Sequence, residues 1–348
     1  MSKTLRLLVL ALAAALMLAV GACGDEDDEG GGGGGGGGGG EQAESIRAAL
    51  VTDIGGLNDR GFNEAANNGR KRAESELGLE TRVLISKQNG DYVPNLTTLV
   101  RQQFDLIVSN GFLMGDATGT VAGKFPDTSF AIIDFSASAL KGKPKNVEGL
   151  LFQEQEAGYL VGYLAALYAK DNDIDTISTV GGQKIPPVDR YIAGFQAGAK
   201  AANPQIETLN GYSQDFVDPA PCFEIALDQI SRGSGVVFQV AGNCGLGALD
   251  AAEQEEVQGI GVDNDQSFLG DHILTSALKD VEEAVFESMK RAQEGTFKGG
   301  TDVIATVKNG GVGVGKIGPA GQKYADQLKK VQDQISSGEI KDIPDTVG

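Results

Sequence analysis

The chain has 348 residues, a formal net charge of −19, one histidine, three cysteines and no tryptophan. Its lysines and arginines are scattered, so there is no basic stripe for nucleic acid, and the acidity suits an exported, soluble protein without naming a ligand. A single histidine excludes a His-based metal cluster and leaves no basis for a Ser-His-Asp set.

At the amino end, Lys3 and Arg6 precede an apolar run over 7–20, which closes on Val20-Gly21-Ala22-Cys23. Charge, apolar stretch and small residues in that order predict an export signal over 1–22. The run is short for a membrane span, and acid follows it. The V-G-A-C ending resembles a bacterial lipobox, which implies that Cys23 becomes the lipidated first residue, palmitate being one such acyl group. An ordinary signal with a coincidental cysteine is the alternative. An acylated chain sits on the membrane surface without crossing it. Residues 25–29 are acidic and 30–40 are all glycine. With nothing apolar to bury, 23–44 reads as a flexible tether, reaching roughly 15–20 Å as a random coil. No Lys-Ser/Thr follows the glycines, so a phosphate-cradling loop is not indicated.

About 300 residues remain, room for two lobes of ordinary domain size. Short apolar runs predict strands over 46–52, 81–86, 105–109, 130–133, 147–152, 174–180, 206–209, 236–240, 259–262, 273–278 and 302–307. Helical stretches fall over 64–77, 94–103, 114–125, 154–168, 191–202, 222–231, 248–256, 281–294 and 320–338. Repeated βα alternation predicts an α/β fold of parallel sheets covered on both faces. A weak internal echo, Ile54-Gly55-Gly56 leading to Gly61-Phe62 and Val180-Gly181-Gly182 leading to Gly194-Phe195, suggests two similar halves.

The polar constellations fall at predicted strand ends, where open α/β folds bind ligands. The first strand ends at Asp53, and Asn58, Asp59, Phe62 and Asn63 lead into a helix. One aromatic among carboxylates and amides suits a flat, polar small molecule. A solvated loop with Phe62 under its own helix explains that stretch equally well. FAIID ends at Asp134; VVFQVAGNCGLG carries Phe238 and then Gly242 in a glycine-rich turn; GIGVDNDQ places Asp263 past its strand; LTSALKD ends with Lys279. Each Asp alone is a common helix cap or turn former. Together they can hold hydroxyls by charge-assisted hydrogen bonds while an aromatic face stacks a ring. His272, next to an apolar strand, is placed at a surface or strand end.

Cys222 and Cys244 suit neither C-x-x-C redox chemistry nor zinc. One lies at a predicted helix start and the other just after the next strand, both at the carboxyl edge of a sheet. In an exported protein this predicts a disulfide, closing a loop of about 22 residues and stabilising by roughly 3 kcal/mol. Two free buried thiols are the alternative.

These segments resemble the basic membrane protein family of bacterial lipoproteins, nucleoside-binding receptors of ABC transporters. The resemblance is carried by DIGGLNDRGFNEAA (53–66), DLIVSNGFLMGDA (105–117), FAIID (130–134), FQEQEAGYLVGYLAA (152–166), GGQKIPPVDRYIAGFQAG (181–198), GIGVDNDQ (259–266), LTSALKDVEEAV (274–285) and KNGGVG (308–313). It implies a two-lobed type I periplasmic-binding-protein fold with a hinged cleft, without a cofactor or catalytic activity. Lobe one would hold 45–170 and 272–297, and lobe two 171–271 and 298–348, with crossings near 169–173, 266–272 and 295–301. It further implies a purine nucleoside ligand, handed to an ABC permease and its ATPase. Phe62 would stack on the base with Asn58, Asp59 and Asn63 beside it, and Asp134 would bond the base edge. Asp263 and Lys279 would hold the ribose, and Phe238 would supply a second aromatic. Asn243-Cys244-Gly245 departs from the Gly-Thr-Gly common in the family, so a disulfide there would rigidify the cleft wall. A sugar or signal receptor of the same fold, and a metal-dependent nucleoside hydrolase using Asp53 with the DNDQ carboxylates, are the alternative readings.

Overall fold

A computed structural model describes residues 46–348. The export signal, Cys23 and the glycine tether expected over 1–44 lie outside the described residues. Among the described residues, no helix is long and apolar enough to cross a membrane.

The chain builds two six-stranded sheets. Strands β1 (Arg47–Val51), β2 (Glu80–Leu84), β3 (Leu106–Ser109), β4 (Ser129–Ile133), β5 (Val147–Phe152) and β11 (Asp302–Ala305) form the first, in the order β11-β5-β4-β3-β1-β2. All its pairings are parallel. Strands β6 (Thr176–Gly181), β7 (Glu207–Tyr212), β8 (Ser234–Val240), β9 (Gln258–Asp263), β10 (Ile273–Lys279) and β12 (Val312–Val314) form the second, ordered β12-β10-β9-β8-β6-β7. Only β12 runs antiparallel to its neighbour. The shared strand order gives the internal echo its structural basis. Central strands β1 and β8 are buried almost throughout, as continuous apolar runs covered by helices on both faces should be.

Helices α1 (Phe62–Leu77), α2 (Tyr92–Arg101), α3 (Gly115–Ala122) and α8 (Val281–Gln293) serve the first sheet. Helices α4 (Glu154–Asp171), α5 (Pro186–Ala202), α6 (Pro219–Ser231), α7 (Gly242–Gln254) and α9 (Ala325–Ser337) serve the second. Helices α5 and α6 begin earlier than the apolar periodicity indicates. Proline occupies the first turn of each, where its missing N–H and fixed φ suit a helix start. The glycine-rich turn after β8 is itself the first turn of α7. Strand β12 went unpredicted because it is three residues set among glycines.

The division into lobes differs from that expected. Strand β10, expected in lobe one with the rest of 272–297, hydrogen-bonds to β9 in the second sheet; α8 from that segment does pack on α1 of the first. Strand β11, expected in lobe two, pairs with β5 of the first sheet. Helix α4, expected to close lobe one, packs on α5 and β10. The chain therefore crosses at Gln153, at Asp280 and between β11 and β12, rather than near 169–173, 266–272 and 295–301. The physical reason is that sheet membership follows strand pairing, whereas the expectation followed polar and glycine-rich composition. Each of those stretches joins two elements of the same lobe.

Helices α4 and α5 meet backbone to backbone. A Cβ on Gly158 or Gly162 would stand 2.2 and 2.0 Å from the carbonyl oxygens of Tyr191 and Phe195. One on Gly194 or Gly198 would stand 2.2 and 2.0 Å from those of Gln155 and Tyr159. Two glycines four residues apart on each helix lie on one face, which removes the side chains that would hold the axes apart.

Candidate functional site

A pocket of about 620 Å³, mouth included, lies between the carboxyl edges of the two sheets. Of the ten ligand-binding candidates, Asp53, Asp59, Phe62, Asn63, Asp134, Gly242, Asp263 and Lys279 line it.

On the first lobe, Asp53 follows β1 and is buried. Its Oδ1 accepts from the Ile54 N–H (2.7 Å) and from the Tyr92 hydroxyl. Burial pushes its pKa up to about 6 against those two bonds, and Asp134 adds to the rise. Its Oδ2 takes no hydrogen bond from a described residue and lies where a Cβ on Gly111 would intrude, 2.5 Å away. Gly111, at φ +126, therefore has both a backbone and a space requirement for glycine.

Asp59 and Asn63 line the cleft but are occupied by the scaffold. The Asp59 carboxylate accepts from the backbone N–H groups of Gly61 (3.1 Å), Asn63 (2.8 Å) and Glu64 (3.0 Å), capping α1. Asn63 Oδ1 accepts from the Asp53 N–H (3.1 Å) and Asn110 Nδ2 (2.9 Å), and its Nδ2 donates to the Ile54 carbonyl (3.1 Å). Together they hold the loop that presents Phe62.

The second lobe contributes the charged centre. Lys279, the last residue of β10, is buried; its Nζ lies 2.6 Å from Asp134 Oδ1 across the cleft and 3.0 Å from Glu154 Oε1 on α4. Burial lowers the Lys279 pKa, but Asp134, Glu154 and Asp263 more than reverse this, so it stays charged. Glu154 is fully buried, which raises its pKa; Lys279 opposes the rise, as does Arg190 at 3.4 Å. Asp263 ends β9, and burial pushes it up to about 7, with Lys279 opposing and Asp134 adding. The buried Tyr191 hydroxyl faces this carboxylate and is the nearest protein donor to it, its pKa raised by burial and by Asp263. Asp134 and Asp263 occupy equivalent strand ends and share left-handed backbones, φ +68 and +63. Non-glycine residues adopt that region at a cost, one repeatedly met at functional sites.

Hydrogen-bonding capacity is thus concentrated in the cleft: the Asp263 carboxylate with the Tyr191 hydroxyl facing it, Asp53 Oδ2 and the third proton of Lys279. Three carboxylates, Asp134, Glu154 and Asp263, face one buried cation, so the centre disfavours an anionic ligand. The carboxylates are directed at Lys279, Tyr92 or the open cleft. Among the described residues, no three or more His, Cys, Asp or Glu side chains are placed to share a metal ion.

Two candidates do not reach the pocket. Phe238 is fully buried mid-strand, stacked on Phe195 (centroids 5.3 Å) and edge-on to Tyr191 (6.0 Å). Its place in β8 points it into the core beneath the cleft. Asn58 is exposed and does not line the pocket, because the chain turns inward only at Asp59. Asp134 lines the pocket. It stands against Lys279, so the groups expected to read opposite ends of a ligand are one ion pair.

The aromatics that line the cleft are Phe62, Phe112, Tyr191 and Phe216. Phe62 lies 5.2 Å from the Lys279 Nζ, and Phe112 packs on Phe135 at 5.0 Å. Phe112, Tyr191 and Phe216 were missed, as was Glu154. SNGF and RYIAG carried the first two at strand and helix ends of the recognised segments, and FQEQE carried Glu154. The loop bearing Phe216 gave no signal.

The lobes touch at the cleft mouth. Asn264 Nδ2 donates to the Gly61 carbonyl (3.1 Å), Gln266 Nε2 to the Arg60 carbonyl (3.3 Å), and the Arg60 guanidinium lies 5.7 Å over the Phe268 ring. Cys222 and Cys244 are joined by a disulfide, their Cα atoms 5.6 Å apart.

Residues 46–346 match the family model described as ABC transporter substrate-binding protein PnrA-like. The chain is 33% identical over 317 residues to the ABC transporter nucleoside-binding protein BmpA of Lactococcus lactis subsp. cremoris, covering 85% of this chain and 88% of that protein. It is 33% identical over 319 residues to a lipoprotein of Pyrococcus horikoshii, covering 88% and 76%. Among solved structures, an ABC transporter solute-binding protein of Aeropyrum pernix K1 superposes with a TM-score of 0.78 at 27% identity, covering 86% of this chain and 94% of that one.

Proposed function

The chain belongs to the PnrA-like family of ABC transporter substrate-binding proteins, and from the chemistry of its cleft we propose that it is a receptor for a nucleoside, with a purine nucleoside favoured. The observation that carries this reading is Asp263, a buried carboxylate whose nearest protein donor is the Tyr191 hydroxyl, beside a buried Lys279 in a pocket that also holds Phe62 and Phe216. Ribose hydroxyls would donate to Asp263, and the free proton of Lys279 would reach a ribose oxygen. The base would lie between Phe62 from one lobe and Phe216 from the other, with its N–H groups toward Asp53 Oδ2. Asp134 and Glu154 would hold Lys279 in place rather than touch the base. The excess of carboxylate admits a neutral nucleoside and disfavours its 5′-phosphate.

In this reading the protein is anchored through Cys23 on the outer face of the cell membrane. It closes its lobes on the ligand and delivers it to a permease driven by an ATPase. It has no catalytic role: the cleft carboxylates are committed to Lys279 and to ligand hydroxyls, which gives no support to metal-dependent hydrolysis. Isothermal titration against inosine, guanosine, adenosine, guanosine 5′-monophosphate, ribose and arabinose tests this. Tight nucleoside binding with at least about 100-fold weaker nucleotide binding is expected. Tight sugar binding with no nucleoside response would overturn it in favour of a sugar receptor.

A further inference from the structure

The disulfide lies under one aromatic wall of the cleft. Phe216 belongs to the loop between β7, an edge strand, and α6. Its ring lies on bare backbone, because a Cβ on Gly182 would stand 2.2 Å from the ring. The loop is bonded to the first turn of α7: the Cys244 N–H donates to the Phe216 carbonyl (3.3 Å), and Asn243 Nδ2 donates to the Val217 carbonyl (2.6 Å). The Ser213 hydroxyl lies 3.4 Å from Cys244 Sγ.

The β7 end of the loop is fixed separately, by the Ser213 and Gln214 N–H groups donating to the Gly181 (2.9 Å) and Gly182 (3.1 Å) carbonyls, and Asp215 Oδ1 accepts from the Val217 N–H (2.6 Å) within it; the end that carries Phe216 into α6 depends on how α6 meets α7. Helix α6 has only three fully buried residues, Cys222, Ala226 and Gln229. The cluster between α6, α7 and the sheet sets four alanines and two valines around the two cysteines, with larger side chains such as Phe223 and Ile230 only partly buried at its edge. Gly247 lets α7 approach the first residue of α6, Pro219, whose carbonyl would lie 2.1 Å from a Cβ. The covalent bond therefore joins the helix that ends the Phe216 loop to the helix turn that holds the loop's carbonyls.

We propose that the Cys222–Cys244 disulfide is a positioning element for ligand recognition: it holds the 213–218 loop so that the Phe216 ring stays in the cleft wall, and its loss weakens binding through Phe216. This rests on the nucleoside reading for its binding readout, while the position of the ring can be followed without any ligand. Opening the bond frees the α6 start from α7, lets the loop follow its edge strand, and allows the ring to leave Gly182. Loop ordering is then an added cost of binding.

The test compares four proteins, all checked for folding by circular dichroism: the wild type, C222A/C244A, F216A and the triple variant. Alanine is chosen because serine hydroxyls at these buried positions would lack partners. In guanosine titrations, C222A/C244A is expected to bind about tenfold more weakly than the wild type, within the range one stacked aromatic supplies. In the F216A background the same two substitutions should change affinity less than about twofold, the signature of action through one residue. Unchanged affinity in C222A/C244A, or an equal loss without Phe216, would overturn the proposal. Because the chain has no tryptophan, F216W provides a single reporter. Without ligand, reduction by dithiothreitol or C222A/C244A should shift its emission to the red and lower its anisotropy. Unchanged emission and anisotropy would overturn the proposal even if no variant bound a nucleoside. Absence of guanosine binding by the wild type, with the reporter responding as described, would refute the nucleoside reading alone. If C222A/C244A does not fold, gentle reduction of the F216W protein supplies the same comparison.

Discussion

Replacing Lys279 by methionine removes the one buried cation of the cleft while keeping most of its volume. Glu154, fully buried, would retain only Arg190 at 3.4 Å, and Asp134 would lose its 2.6 Å partner. Removing one member of a buried ion pair costs about 3–5 kcal/mol, chiefly because the remaining charge lacks compensation. We expect a loss of that size in urea unfolding of ligand-free protein at pH 8, with an unchanged m-value. The loss should depend on pH in one direction. Burial already raises the pKa of Glu154 and Asp263 above the ordinary carboxyl range, and losing Lys279 raises both further. The folded variant then holds protons more tightly than the unfolded chain, whose carboxyls titrate near 4, so its stability falls as pH rises through that window. At pH 5 Asp263, already pushed up to about 7 by burial, is largely protonated, and the deficit should be smaller than at pH 8. Adding Asp134→Asn should recover part of the loss at pH 8. A wild-type midpoint for Lys279→Met at pH 8, or an equal deficit at pH 5 and pH 8, would refute this account of the cluster.

Phe62→Ala should leave the unfolding midpoint nearly unchanged and weaken nucleoside binding by about 1–3 kcal/mol in calorimetry, the scale of one base–aromatic stack. Binding should strengthen with pH. Burial pushes Asp53 up to about 6 and Asp263 up to about 7, and ligand donors need the ionised forms. Affinity should therefore rise from pH 5 to about 8 and then level off, with proton release seen as a buffer-dependent heat; affinity falling over that range would refute it. Gly162→Ala places a methyl group where the Phe195 carbonyl oxygen is 2.0 Å away. It should destabilise the protein by about 1–3 kcal/mol in thermal unfolding, against the usual gain from alanine in a helix.

Strand ends were the legible part of this sequence. Asp53, Asp134, Asp263 and Lys279 each close an apolar run that only a covered strand explains, and a shared sheet edge follows from βα alternation. The division of the chain between lobes was not legible. Whether 273–279 pairs with β9 or with a strand of the first sheet depends on long-range register, to which its apolar pattern is indifferent. Phe238 shows the same limit at one residue: alternation places it in a strand, but not on the side away from the ligand. Phe216 sits in SQDFVDP, a loop without periodicity, and is held by backbone atoms of Gly182 and Cys244 that leave no trace in residue type. Asn63 and Asp59 were found for the wrong reason. Their polarity marks the site, but their hydrogen bonds hold the loop.

The four glycines between α4 and α5 bear on how the lobes can move. With main chains in contact, neither helix can slide or rotate past the other without collision, so the pair behaves as a single stiff beam. Glu154 stands at the end of that beam, one residue beyond the Gln153 crossing, and grips Lys279. Motion of one lobe against the other must therefore be absorbed at the three short crossings, and any torque there arrives at the ion cluster undamped. Ligand affinity in this protein should be tunable from Gln153 and Asp280, positions outside the pocket lining, because they set the angle at which a rigid arm delivers its carboxylate.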